Sequence, residues 1–351
     1  MIDSYMRYGA LAAKVKALYG KRLRFSDFEH MAGLPNEQSI LDYLRTQPGW
    51  SAAVSAALSA MNSSGYVGRM ELEDALRLQV WREYEGLNHF IPRPDKNLVA
   101  FPLRQAELLA ILGTLRRLKS HGRVREGVLN LPNLSFKVNQ KALAACKDYN
   151  GLLAAVQDSI YYEPLLHIRP DNPDTLPDYT TTEALLRSTY FSHIYRIIYK
   201  SYTGETKSVL LKGMGERVDL LNIIHILRLK TYFPGDDQYY SALFPINYKL
   251  RPEKIKAMCD ASDVSQVFAV LQDTPYAGRF TSLDVAGVED CYRRSFYTFN
   301  KRQLVSGPPS IYTAVSYLNV KSTELKALVN VIESVKYGAH YDESFARLVG
   351  E

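Results

Sequence analysis

An all-α fold is the class this sequence predicts, and three observations carry it. Leu, Ala, Lys, Arg and Glu, all good helix formers, fill the stretches between breaks. Apolar residues recur at i, i+1 and i+4, the spacing that lines one face of a helix. The same helical pattern also returns three times along 351 residues, and no run reads as an alternating strand.

The first copy runs from Met31 to Pro48, MAGLPNEQSILDYLRTQP. The second runs from Leu143 to Ile160, LAACKDYNGLLAAVQDSI, and the third from Met258 to Pro275, MCDASDVSQVFAVLQDTP. Aligned without gaps, Ile40, Leu152 and Val267 form one apolar column. Leu41, Leu153 and Phe268 form the next, and Leu44, Val156 and Leu271 follow. Each copy stops at a polar junction, and an aromatic comes just after: Trp50, Tyr161 and Tyr276.

A second element alternates with the first. Glu107–Arg116 (ELLAILGTLR) matches Asp219–Arg228 (DLLNIIHILR) and, more loosely, Glu324–Glu333 (ELKALVNVIE). The leading carboxylate suits the first turn of a helix, where the positive end of the macrodipole favours an anion. In the first two of these helices apolar residues cover most of the circumference, which predicts burial between neighbours.

Breakers separate the elements. Met61–Gly68, the Pro-rich His89–Lys96 and Arg169–Asp178, Gly204–Glu205, Phe233–Asp237 and Gly307–Pro309 all resist helix. Gly213-Met214-Gly215 reads as a loop ahead of the helix at Asp219. The first-kind segments start at 31, 143 and 258 and the carboxylate-led helices at 107, 219 and 324, which leaves a half-unit at each end of the chain. The last helix is therefore expected to complete the first segment and close a pseudo-threefold ring. The domains expected are residues 1–95, completed by the C-terminal helix, residues 96–205, and residues 206–351 with the closing helix at 310–337.

Composition narrows function. Forty-six per cent hydrophobic and 23% charged residues describe an ordinary globular chain. The balance of 43 basic against 37 acidic residues, net +6, is scattered rather than gathered in the stripe or tail of a nucleic-acid binder. Cys146, Cys259 and Cys291 have neither metal-ligand spacing nor a disulfide framework, so a reducing cytosol is expected. Apolar runs such as Leu108–Leu115 are too short to cross a bilayer, so any membrane contact is expected to go through a partner.

No catalytic, cofactor-binding or metal-binding residue is nominated. Gly213-Met214-Gly215 lacks the Lys-Ser/Thr of a phosphate loop. Asp171 and Asp174 share a Pro-broken segment, and Asp236-Asp237 follows Pro-Gly, which is turn chemistry. The seven histidines show no zinc spacing, and His225 reads as a core or interface residue. The 25 tyrosines read as half-buried packing.

Three stretches resemble a known family, the C-type subunits of prokaryotic V/A-type ATPases (ATP synthases), whose eukaryotic V-ATPase counterparts are the d-type subunits. Ser310–Gly338 is similar to the family's last helix, with Tyr317-Leu318, Lys321, Glu324, Lys336 and Gly338 at matching places. Val218–Lys230 (VDLLNIIHILRLK) resembles its central helix. Tyr8–Tyr19 resembles its first, with Lys14 where an Arg is usual. The likeness implies three similar helical bundles in a pseudo-threefold funnel, and a non-catalytic central-stalk subunit of a rotary ATPase. Its implied partners are central shaft subunits of the D and F types and a membrane rotor ring of c/K-type subunits, with no cofactor and no nucleic acid. The implied place is cytoplasmic, peripheral to the membrane through the ring, as one copy in a hetero-oligomeric complex. The stripe Ile311, Val315, Leu318, Leu325, Val329 and Ile332 is the candidate for packing against the shaft or within its own bundle. The alternatives are a generic helical-repeat scaffold, against which the 112- and 115-residue spacing of the copies argues, and an all-α enzyme with a central cavity.

Overall fold

A computed structural model describes residues 2–60, 69–120, 136–172, 175–233 and 243–351. It is helical throughout, and no strand occurs among the described residues. The expected break at Met61–Gly68, His121, Asp174 and Asp236-Asp237 lie outside them.

The chain divides into two units, one of residues 1–96 with 297–351 and one of residues 97–296. The first unit opens with α1 (Ile2–Tyr19), α2 (Phe25–Ala32), α3 (Glu37–Thr46), α4 (Ser51–Ala60) and α5 (Arg69–Asn88). The Pro-rich His89–Lys96 does separate helices: α5 ends at Asn88, and a 3-10 turn at Arg93–Asp95, which carries Pro94 where a missing N–H has no partner to lose, leads into α6 (Lys96–Val99).

The second unit continues with α7 (Phe101–Ser120), α8 (Gln140–Ala145), α9 (Tyr149–Ala155), α10 (Tyr162–His167), α11 (Tyr179–Ser201), α12 (Gly204–Tyr232), α13 (Pro252–Asp260) and α14 (Val264–Gln272). The chain then runs along α15 (Val285–Ser306) back into the first unit, which ends with α16 (Ile311–Tyr337) and α17 (Glu343–Gly350).

Each helix of the first kind starts at the same kind of residue. Asn36, Asp148 and Asp263 each accept the backbone N–H three residues on, at 2.9, 2.7 and 2.9 Å. These are N-caps, which satisfy one of the four orphan donors of a helix start. The apolar columns then face inward: Ile40, Leu152 and Val267 have no exposed surface, nor do Trp50, Tyr161 and Tyr276. The second unit holds two such cores. One gathers Ile111, Leu152, Tyr161 and Leu186; the other gathers Ile223, Met258, Val267, Tyr276 and Val288. In the first unit α16 packs against α1, α2, α3 and α5, and α17 packs against α2.

Two readings of the sequence need correction. Glu107, Asp219 and Glu324 do not sit in first turns, since their helices begin at Phe101, Gly204 and Ile311. Nor is Gly213-Met214-Gly215 a loop; it lies inside the 29-residue α12, about 43 Å long. At Gly215 the ring of Tyr248 occupies the space that a side chain would need. The continuous helical stretch Arg93–Ser120 is long and apolar enough to cross a membrane, yet 61% of its apolar window is buried in protein. Leu103, Leu108, Ile111, Leu112 and Leu115 spend that apolar surface on the core.

Candidate functional site

The carboxylates that head the second repeated element are the best-buried acids among the described residues: Glu107, Asp219 and Glu324 are 1%, 0% and 2% exposed. A buried anion is costly unless donors surround it. Each copy supplies them differently.

In the first unit Glu324, in the middle of α16, takes the backbone N–H of Leu23 at 3.0 Å and the indole N–H of Trp50 at 2.9 Å, both on Oε1. Lys321, one turn earlier, lies 3.4 Å from Oε2 of Glu324 and 3.7 Å from Glu83. Its ammonium also sits 3.8 Å from the centroid of the Trp50 ring. Tyr317 donates to the other oxygen of Glu83 at 2.5 Å, and burial, then the Glu83 charge, drives its hydroxyl well above the ordinary range. One cation thus serves two acids and an aromatic face.

In the second unit Glu107 holds Arg104 with contacts of 2.7 and 2.6 Å and receives the backbone N–H of Lys137 at 2.5 Å. Tyr161, the aromatic of this copy, donates to the carbonyl of Arg104 at 2.6 Å rather than to the acid. Burial pushes the Glu107 carboxyl up against the opposing pull of Arg104.

Asp219 in the same unit is held by N–H and O–H donors. Its Oδ1 takes Tyr248 N at 3.2 Å; its Oδ2 takes Lys249 N at 2.7 Å, Leu250 N at 3.1 Å and the Tyr276 hydroxyl at 2.9 Å. Burial raises its pKa, the hydrogen bonds opposing. Tyr276 in turn is raised by burial and by the Asp219 charge. Where the other copies place Arg104 and Lys321, three residues before the acid, this one has Glu216, paired with Lys249 at 2.5 Å.

Further along each helix a basic residue ties the start of the matching segment. Arg117 donates to the carbonyls of Leu143 and Cys146 at 3.2 and 2.9 Å. Lys230 donates to that of Cys259 at 2.7 Å, and Lys336 pairs with Glu37 at 2.7 Å.

The arrangement is mechanical in its chemistry. The acids are sealed from solvent and held by N–H, O–H or cationic partners; hydrogen bonds to them are directional and fix one helix against the next segment. Among the described residues no His, Cys, Asp or Glu group gathers with metal-binding geometry. His225 packs its ring against Phe244 at 5.2 Å. Of the α16 stripe, Ile311, Leu318 and Ile332 are buried while Val315, Leu325 and Val329 are half-buried. The sequence points to the aromatic column and to the carboxylates separately. It does not show that they meet, and the apolar pattern passes over the N-cap column Asn36, Asp148, Asp263, although those residues share one place in the aligned copies.

Residues 11–344 match the model of the ATP synthase (C/AC39) subunit family. The C subunit of the A-type ATP synthase of Pyrococcus abyssi is 22% identical over an alignment covering 100% of this chain and 92% of that protein. Its counterpart in the A-type ATP synthase of Methanosphaera stadtmanae is 23% identical, over 97% and 86%, and that of Pyrococcus furiosus 25%, over 80% and 75%.

Proposed function

Because the chain belongs to the ATP synthase (C/AC39) subunit family, a non-catalytic subunit of the rotary ATPase complex, we propose that it is the socket that seats the central shaft on the membrane rotor ring. Torque passes through it between shaft and ring, coupling ATP turnover to ion movement. Its partners are shaft subunits of the D and F types and ring subunits of the c/K type. It reaches the cytoplasmic face of the membrane by resting on that ring.

The observation that carries this reading is one build used three times: an N-capped helix, an aromatic at its stop, and a buried acid on a long helix. A torque adaptor must not yield, and close-packed helices pinned by buried, directional hydrogen bonds meet that demand. In the first copy the acid comes from α16, near the other end of the chain. That supports the pseudo-threefold funnel, in which the last helix completes the first of three similar bundles.

Each partner contact of such a socket buries roughly 1,200–2,000 Å² or more. Co-purification with the ring and the shaft subunits tests the reading. A chain that binds neither, or that fails to restore coupling to a complex lacking this subunit, rejects it.

A further inference from the structure

The turn between α11 and α12, in the second unit, carries a basic and aromatic knuckle. Only Tyr202 and Thr203 connect the two helices. Arg196, Tyr199 and Lys200 lie at i, i+3 and i+4 on the last turns of α11, hence on one face, and all three are exposed. Tyr199 keeps 54% of its surface in solvent. Lys207 reaches back from the first turn of α12: its ammonium lies 3.6 Å from the Tyr199 ring centroid and donates to the Tyr199 carbonyl at 3.1 Å. Tyr195 stacks on Tyr199 with centroids 5.4 Å apart. Ring and amine are therefore held in place.

The amino end of α12 opens at the same turn. Gly204 has φ +56° with open space where a Cβ would be, and the Thr203 side chain makes no capping hydrogen bond. Its first amide donors therefore add positive potential to the side-chain cations. Across residues 196–211, Glu205 is the one carboxylate against Arg196, Lys200 and Lys207.

We propose that this knuckle touches the anionic phosphate headgroups of the membrane surface beside the ring. The inference rests on the socket reading, which brings the chain to the membrane, and adds a direct contact to the one through the ring. A tyrosine flanked by cations suits a bilayer interface, its ring at headgroup depth and its basic neighbours on phosphate. Each such cation multiplies affinity for an anionic surface roughly fivefold, so three supply a weak, salt-sensitive hold that steadies a protein already seated.

The test is partitioning of the full chain onto phosphatidylglycerol–phosphatidylcholine (1:1) vesicles and onto pure phosphatidylcholine vesicles at low ionic strength. Binding is expected on the anionic vesicles alone and should fall steeply with salt. The Arg196→Gln/Lys200→Gln/Lys207→Gln variant should lose roughly 100-fold. Lys14→Gln/Lys16→Gln/Lys21→Gln, which removes the same charge from exposed positions in the first unit, should lose much less, with both variants keeping the wild-type melting temperature. No anionic preference, or equal loss in both variants, overturns the inference. So does a knuckle variant that keeps vesicle binding but loses the shaft subunits, because the patch then belongs to a protein contact. Ring binding is scored separately: a chain that binds the ring but not the vesicles sinks this inference alone, and failure at the ring sinks the socket reading.

Discussion

The indole N–H of Trp50 donates to Glu324 at 2.9 Å, a bond between residues 274 positions apart. It shares that oxygen with Leu23 N, while Lys321 closes the other side of the carboxylate. Trp50→Phe keeps an aromatic face for Lys321 but removes one donor from a buried charge. The expected cost is about 1.5–3 kcal/mol, the range for hydrogen bonds to charged groups. Lys321→Met removes the cation that serves both Glu324 and Glu83, and is expected to cost more, about 3–5 kcal/mol. Urea denaturation of the two variants measures both, and a Lys321→Met variant no weaker than Trp50→Phe contradicts the assignment.

Asp219 gives a pH signature. Burial holds its folded-state pKa above the ordinary aspartate value of 3.8, so the folded protein binds this proton more tightly than the unfolded chain does. Its contribution to stability is fully present below pH 3.8 and is lost as pH rises through the folded-state value. Asp219→Asn removes the titration. The stability gap between wild type and variant is therefore expected to be widest in acid and to narrow toward neutral pH. Denaturation midpoints measured in parallel across that window check it, and a gap that widens with pH reverses the sign.

The N-cap column makes a local prediction. Asn36 and Asp148 each accept one helix-start N–H, from Ser39 and Gly151. Asn36→Ala and Asp148→Ala are expected to cost about 0.5–2 kcal/mol each, while Asp148→Ser, which keeps an oxygen at that place, should stay within a few tenths of wild type. Thermal denaturation separates the two outcomes. Equal losses for Ala and Ser at 148 would mean that the capping oxygen is not what matters.

Apolar periodicity is legible in this chain because it depends on spacing alone: Leu44, Val156 and Leu271, which form one column in the sequence, are 0%, 0% and 1% exposed. The long-range half of each clasp is not, because nothing local to Glu324 points to Leu23 or Trp50. The starts of the second-kind helices are hidden for a local reason. The Gly213, Gly215 pair resembles a break, yet it lies inside α12, where the ring of Tyr248 leaves no room for a side chain at 215; Pro102 is the second residue of α7, where its missing N–H costs nothing. The shared place of Asn36, Asp148 and Asp263 is present in the aligned copies, but caps are polar and leave no mark in a pattern of apolar columns.

Gly215 and Tyr248 form a pair in which the covering ring can be tested. Gly costs an α-helix interior about 1 kcal/mol relative to Ala, so at an open site Gly215→Ala should stabilise α12. At this site a Cβ would run into Cβ and the ring of Tyr248, whose backbone N–H is itself held by Asp219 at 3.2 Å. The Tyr248 Cβ cannot move away without shifting the backbone that makes that bond, so Gly215→Ala is expected to destabilise by about 1–3 kcal/mol, the usual cost of overpacking. Tyr248→Gly clears both the ring and the Cβ, and in that background the same substitution should become neutral or stabilising by up to about 1 kcal/mol. The interaction energy of the double-mutant cycle is the readout, since residues in contact are not additive. A Gly215→Ala effect of the same sign and size in both backgrounds would show that Tyr248 does not lie against α12 at this position.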